Sequence, residues 1–142
     1  MRNNWGNRTF RKTGAGLSGN DGEYMDKRKI LVADDDYDIV TTMLLILKSR
    51  GHDVVTAGSG KEALIKYTEF KPDIILLDLM MEKFDSGVTV CKKIRETDKN
   101  VKIYLISAVG EENPEIPEAY EMGFNGIMTK PITPQKLLEL IN

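Results

Sequence analysis

The chain has few residues that usually anchor unusual chemistry or covalent scaffolding: one cysteine, one histidine and one tryptophan among 142 residues. A lone Cys91 excludes an internal disulfide and fits a reducing, cytoplasmic setting. No apolar run reaches the length of a membrane-spanning helix, and the amino terminus has no apolar stretch of the secretory type. Membrane insertion is therefore not expected. Charge of one sign is also lacking: 20 basic side chains face 22 acidic ones, for a net charge of −2. That balance argues against direct nucleic-acid binding driven by whole-chain electrostatics. No repeat at solenoid spacing is visible. The length and the 41% hydrophobic content fit one compact domain with a core of its own.

The basic residues are unevenly placed. Arg2, Arg8, Arg11, Lys12, Lys27 and Arg28 outnumber Asp21, Glu23 and Asp26 in the first 28 positions. This stretch is rich in Gly, Asn and Ser and has no apolar period. Residues 1–26 are read as a flexible N-terminal extension, either a solvated tail or a basic arm for a partner, and 27–142 as the folded domain.

From Lys27 onward, strand and helix signals alternate. Lys29–Ala33 reads as a strand. Asp36 caps a helix that runs to about Arg50, with Ile39, Met43, Ile46 and Leu47 on one face and Gly51 after its end. Val54–Thr56 is a second strand, and Ser59 caps a helix broken at Lys71-Pro72. Ile74–Leu77 is a third strand, followed by a loop through Gly87 and a helix carrying Val90, Cys91 and Ile94. Val101–Ile106, ending at Ser107, is a fourth strand. A short helix near Pro117 is expected to stop at Gly123. Gly126–Thr129 is a fifth strand, and Thr133-Pro134 starts a last helix. Five strands alternating with helices predict an α/β domain: a doubly wound five-stranded parallel sheet with helices on both faces. His52 reads as a solvated side chain at a strand start, and Cys91 as a small core residue.

The most informative residues stand at the carboxyl ends of the apolar strands. The first strand ends in Asp34-Asp35-Asp36, the third in Asp78, the fourth in Ser107 and the fifth in Lys130. Continuous apolar strands suit burial on both faces of a parallel sheet, and such sheets gather ligands at the carboxyl ends of their strands. Crowded carboxylates repel unless a cation neutralises them, and Mg²⁺ suits an all-oxygen cluster. Asp78 would keep a carboxylate oxygen able to attack phosphorus, with Lys130 offsetting charge on the transferring group and Ser107 donating a hydrogen bond to it.

Asp34-Asp35, Asp78, Ser107 and Lys130-Pro131, in this order on these strands, resemble the receiver domain of two-component response regulators. The resemblance covers about residues 28–142 and implies a flavodoxin-like strand order of 2-1-3-4-5. It implies that Asp78 accepts a phosphoryl group from a histidine kinase or a phosphotransfer protein. It further implies Mg²⁺ held by Asp34, Asp35, Asp78 and the Met80 backbone carbonyl, catalytic roles for Lys130 and Ser107, and a cis Lys130–Pro131 bond. Such a domain is a signalling switch and not a conventional enzyme, although it supports its own Mg-dependent phosphorylation and slow dephosphorylation. Because the chain ends at Asn142, a free-standing receiver with output through protein contact is expected. The downstream target and any dimerisation are left open.

Three features depart from the family pattern. Ile127 stands where an aromatic switch residue is usual, which points to altered coupling with Ser107. The loop after Asp78 looks one residue longer, and Gly110–Pro117 predicts an irregular fourth helix. Met80 and Val109 are apolar positions beside the site and are expected to hinder water. Met80→Asn should therefore raise the dephosphorylation rate, and an unchanged rate would refute that role. Rival readings carry their own tests. A pseudo-receiver would keep the fold without phosphorylation. A haloacid-dehalogenase-like phosphatase would use the Asp34/Asp36 spacing, but Tyr37-Asp38 and the missing cap insertion fit it poorly. A flavodoxin-like FMN carrier would need a phosphate loop where three aspartates stand.

Overall fold

The computed structural model describes residues 27–79, 81, 86–108 and 120–142. Within these, five strands and four helices alternate: β1 (Lys29–Ala33), α1 (Tyr37–Ser49), β2 (Asp53–Ala57), α2 (Gly60–Phe70), β3 (Ile74–Asp78), α3 (Ser86–Arg95), β4 (Lys102–Ser107), β5 (Gly126–Thr129) and α4 (Pro134–Ile141). The strands form one parallel sheet in the order β2-β1-β3-β4-β5. Residues 1–26, the helix expected near Pro117, and Met80 and Val109 lie outside the described residues.

Period-2 alternation along the central strands explains how one sheet carries two cores. Leu31, Ala33, Ile75, Leu77, Ile103 and Leu105 point to one face, where they meet Ala63 of α2 and Val90, Cys91 and Ile94 of α3. Ile30, Val32, Ile74, Leu76 and Ile106 point to the other, against Met43 and Leu47 of α1 and Leu137 and Ile141 of α4. Because β1 and β3 are covered on both sides, they contain hardly any polar side chain until their carboxyl ends.

The helix boundaries follow local chemistry. Asp36 accepts from the Asp38 and Ile39 amides, Ser59 from Glu62 and Thr133 from Lys136, each satisfying a donor that the first helical turn leaves open. Gly51 beyond the end of α1 has φ +89°, and the chain turns sharply there into β2. The start of α3 differs from expectation: the helix begins at Ser86, so Gly87 lies in its first turn and not in the loop.

His52 also differs. It is 4% exposed, not solvated. The turn after α1 folds it inward, and its Nδ1 accepts the Arg28 amide at 3.1 Å. That acceptor role places the proton of the neutral ring on Nε2. Burial, helped by the charge of Arg28, holds the imidazole below its ordinary pKa. At the same rim of the sheet, Arg95 ties α3 to the entry of β5. Its guanidinium donates to the Gly123 carbonyl, Asn125 Oδ1 and the Asp98 carbonyl at 2.8–3.0 Å. Asn125 Oδ1 also accepts the Ile103 amide, which joins this network to β4.

Candidate functional site

At the opposite rim, the chain leaves β1 toward β2 on one side and returns through β3 on the other. The crevice between these two strand ends is where open α/β sheets place ligands. Asp34 immediately follows β1, and its amide continues the ladder by donating to the Ala57 carbonyl at 3.1 Å. Its side chain is fully buried. Oδ1 accepts the Asp36 amide at 2.9 Å, which orients the carboxylate. Oδ2 is buried and makes no hydrogen bond; its nearest partner is Lys130 Nζ at 3.4 Å, an ion-pair distance.

Asp78 is the last residue of β3 and is 6% exposed. Its Oδ1 also lies 3.4 Å from Lys130 Nζ. One ammonium is thus shared by two buried carboxylates. Asp35 is exposed, yet Asp34, Asp35 and Asp78 each bring a carboxylate oxygen to within 4.8 Å of the others.

The electrostatics follow from this crowding. Burial, then the Asp34 charge, push the Asp78 carboxyl up to about 6 against the pull of Lys130. Burial likewise raises Asp34, against the Asp36 amide and Lys130. Burial pulls the Lys130 ammonium down, but the two carboxylates outweigh it and hold it above the ordinary lysine value. One lysine does not balance three acids. The buried, unbonded Oδ2 of Asp34 and the all-oxygen donor set fit a hard divalent cation such as Mg²⁺.

Ser107 ends β4, is 2% exposed, and accepts the Lys130 amide on its carbonyl at 2.8 Å. The backbones that carry the hydroxyl and the ammonium are therefore joined directly. The Lys130–Pro131 peptide is cis. On α4, Lys136 Nζ donates to the carbonyls of Thr129 and Pro131 at 3.4 and 3.3 Å, bracketing Lys130. Ile127, in β5, is half-buried and packs against the core shared with α2 and α3.

Asp34, Asp35, Asp78 and Lys130 thus meet at one rim, and Ser107 joins them through the backbone of Lys130. Ile127 stands farther back along β5. Two residues escaped sequence reasoning. Lys136 carries no signal in the sequence that separates it from other helix lysines. Gly87 looked like a loop residue, and the close approach of the Asp78 backbone to it has no signal in the sequence.

Comparison with known proteins agrees with this geometry. The family profile "Response regulator receiver domain" matches residues 30–142. The alkaline phosphatase synthesis transcriptional regulatory protein PhoP of Bacillus subtilis is 41% identical over 78% of this chain and 45% of its own length. The chemotaxis protein CheY of Thermotoga maritima is 33% identical over 81% of this chain and 95% of its own length. Among solved structures, the CheX-CheY-BeF3-Mg complex of Borrelia burgdorferi aligns with a TM-score of 0.73 and 32% identity, over 80% of this chain and 85% of that one. The chain belongs to the response regulator receiver domain family, whose members are signalling switches of two-component systems. It spans less than half the length of several curated relatives it matches, PhoP among them. No helix among the described residues is long and apolar enough to cross a membrane.

Proposed function

We propose that this chain is a phosphorylation-controlled switch in which Asp78 takes a phosphoryl group from a phosphohistidine on a sensor kinase or phosphotransfer protein. The observation that carries the reading is Lys130 Nζ, 3.4 Å from both Asp34 and Asp78. A carboxylate oxygen of Asp78 attacks phosphorus, the new C–O–P bond forms, and the P–N bond to the donor imidazole breaks. Lys130 stays protonated and faces the phosphoryl oxygens, while the Ser107 hydroxyl donates to one of them. Asp34, Asp35 and Asp78, with the Met80 carbonyl, are the residues that would hold Mg²⁺. When bound, the ion neutralises charge on the phosphoryl oxygens.

Phosphorylation replaces a shared carboxylate by a bulkier dianion within reach of Lys130 and Ser107. Because the Lys130 amide is bonded to the Ser107 carbonyl, a backbone shift at the end of β4 is passed to the residue that follows β5. Output runs through a protein partner whose affinity differs between the two states. Ile127 fills part of the core where the family usually places an aromatic, so its packing sets how far Ser107 moves. The setting is cytoplasmic, with a kinase or phosphotransfer protein upstream.

Intact-mass measurement after incubation with Mg²⁺ and acetyl phosphate tests the reading. One phosphoryl adduct is expected, absent from Asp78→Asn and absent when Mg²⁺ is chelated. No adduct on the parent chain would leave a pseudo-receiver that binds partners without phosphorylation.

A further inference from the structure

Gly87 lies in helix α3 and its φ is outside the left-handed region, so no such backbone requires glycine there. Helix propensity alone would favour alanine in this turn of α3. The constraint is spatial. A Cβ at Gly87 would collide with the Asp78 carbonyl oxygen, and would lie 3.0 Å from Leu79 Cα and 3.1 Å from the Asp78 carbonyl carbon. All three are backbone atoms at or one residue past the end of β3, so none can swing aside as a long side chain would.

The same residue also forms a bond. Its amide donates to the Leu79 carbonyl at 3.1 Å, and the Leu79 amide donates to the Ile106 carbonyl at 3.0 Å. Gly87 therefore closes the base of the connection leaving Asp78 and links α3 to the β3–β4 ladder. We propose that Gly87 is a positioning residue for the acidic site: its missing side chain lets α3 seat against the peptide of Asp78 and fixes where that carboxylate stands relative to Asp34 and Lys130.

The inference deepens the proposed function and rests on Asp78 as the phosphoryl acceptor and part of the Mg²⁺ site. Gly87 touches no reacting group. A side chain there pushes the carbonyl end of β3 away from α3, and the shared ion pair loses its alignment. Displacements of roughly 0.5 Å are enough to impair a site of this kind.

Gly87→Ala is compared with Ile94→Val and Ile94→Ala, which loosen the packing of the same helix without contacting Asp78. The control whose melting temperature matches that of Gly87→Ala is the one used. Mg²⁺ affinity is measured by titration calorimetry on the full chain under conditions where all variants are folded. Gly87→Ala is expected to bind Mg²⁺ about tenfold more weakly or worse, while the control matches the parent. Equal affinities for Gly87→Ala and the control would overturn the proposal and leave Gly87 a stability residue only.

Should Gly87→Ala not fold, amide hydrogen exchange on the parent decides. Addition of Mg²⁺ is expected to slow exchange at the Gly87 amide, because seating of α3 and assembly of the carboxylates are one event. Unchanged exchange there would overturn the proposal. A parent chain that neither binds Mg²⁺ nor takes an adduct would instead sink the acceptor assignment itself, an outcome distinct from a failure of Gly87 alone.

Discussion

Lys130→Met is expected to abolish most phosphoryl acceptance and to destabilise the metal-free fold at neutral pH. The lysine is the cation shared by Asp34 and Asp78, and both carboxylates are buried. Removing one partner of a buried charge cluster leaves the others uncompensated, at a typical cost of about 3 kcal/mol. Protonation limits that cost, because both carboxyls are already pushed upward by burial. The defect should thus be largest above pH 7 and shrink toward pH 5, where Asp78, pushed up to about 6, takes up a proton. Loss of the aligned ammonium should slow adduct formation from acetyl phosphate by about a hundredfold or more. Urea unfolding across pH and initial rates by mass spectrometry check the two halves. A variant as stable and as fast as the parent would show that the shared ion pair contributes neither charge balance nor transition-state stabilisation.

Asp78→Asn is expected to do the reverse for stability while eliminating phosphorylation. The Asp78 carboxyl titrates at about 6 in the fold, against 3.8 as its ordinary value. Between these values the native state holds a proton that the unfolded chain has released. Native stability therefore falls as pH rises from roughly 4 to 6, and stays lowered above that. A shift of this size corresponds to about 2–3 kcal/mol at most. Asparagine fills the same space without charge and can still accept from Lys130. The metal-free variant should therefore be more stable than the parent at pH 8, and the advantage should vanish near pH 4. Mg²⁺ should narrow the gap at pH 8, since it stabilises the form that binds it more tightly. Equal stability of the two proteins at pH 8 without metal would mean that Asp78 is not strained in the fold.

Much of the architecture was legible because it rests on local and periodic signals. Apolar runs named all five strands, and Asp36, Ser59 and Thr133 marked three helix starts that the caps bear out. The parallel order then carries Asp34, Asp78, Ser107 and Lys130 to one rim, so the meeting of these residues could be anticipated before any distance was known. The features that stayed hidden depend on three-dimensional proximity alone. The intolerance of Gly87 to a side chain arises from the Asp78 carbonyl passing above it, which no hydropathy period encodes. His52 is enclosed because a turn folds it under the sheet, although its neighbours Gly51 and Asp53 suggest solvent. Lys136 reaches backbone carbonyls from an exposed helix position, and only the path of the Lys130 loop reveals it.

The inward-turned imidazole has a consequence for how signals arrive. His52 is the chain's single histidine, and it sits at the amino ends of the strands with Nδ1 occupied, across the sheet from Asp78. Residues 1–142 therefore hold no accessible imidazole that could charge Asp78. Under the proposed function, the phosphohistidine that charges Asp78 lies outside these 142 residues. Labelling of these 142 residues by a separately added phosphohistidine donor should then be bimolecular, rising with donor concentration until the docked pair saturates, and dilution should slow it.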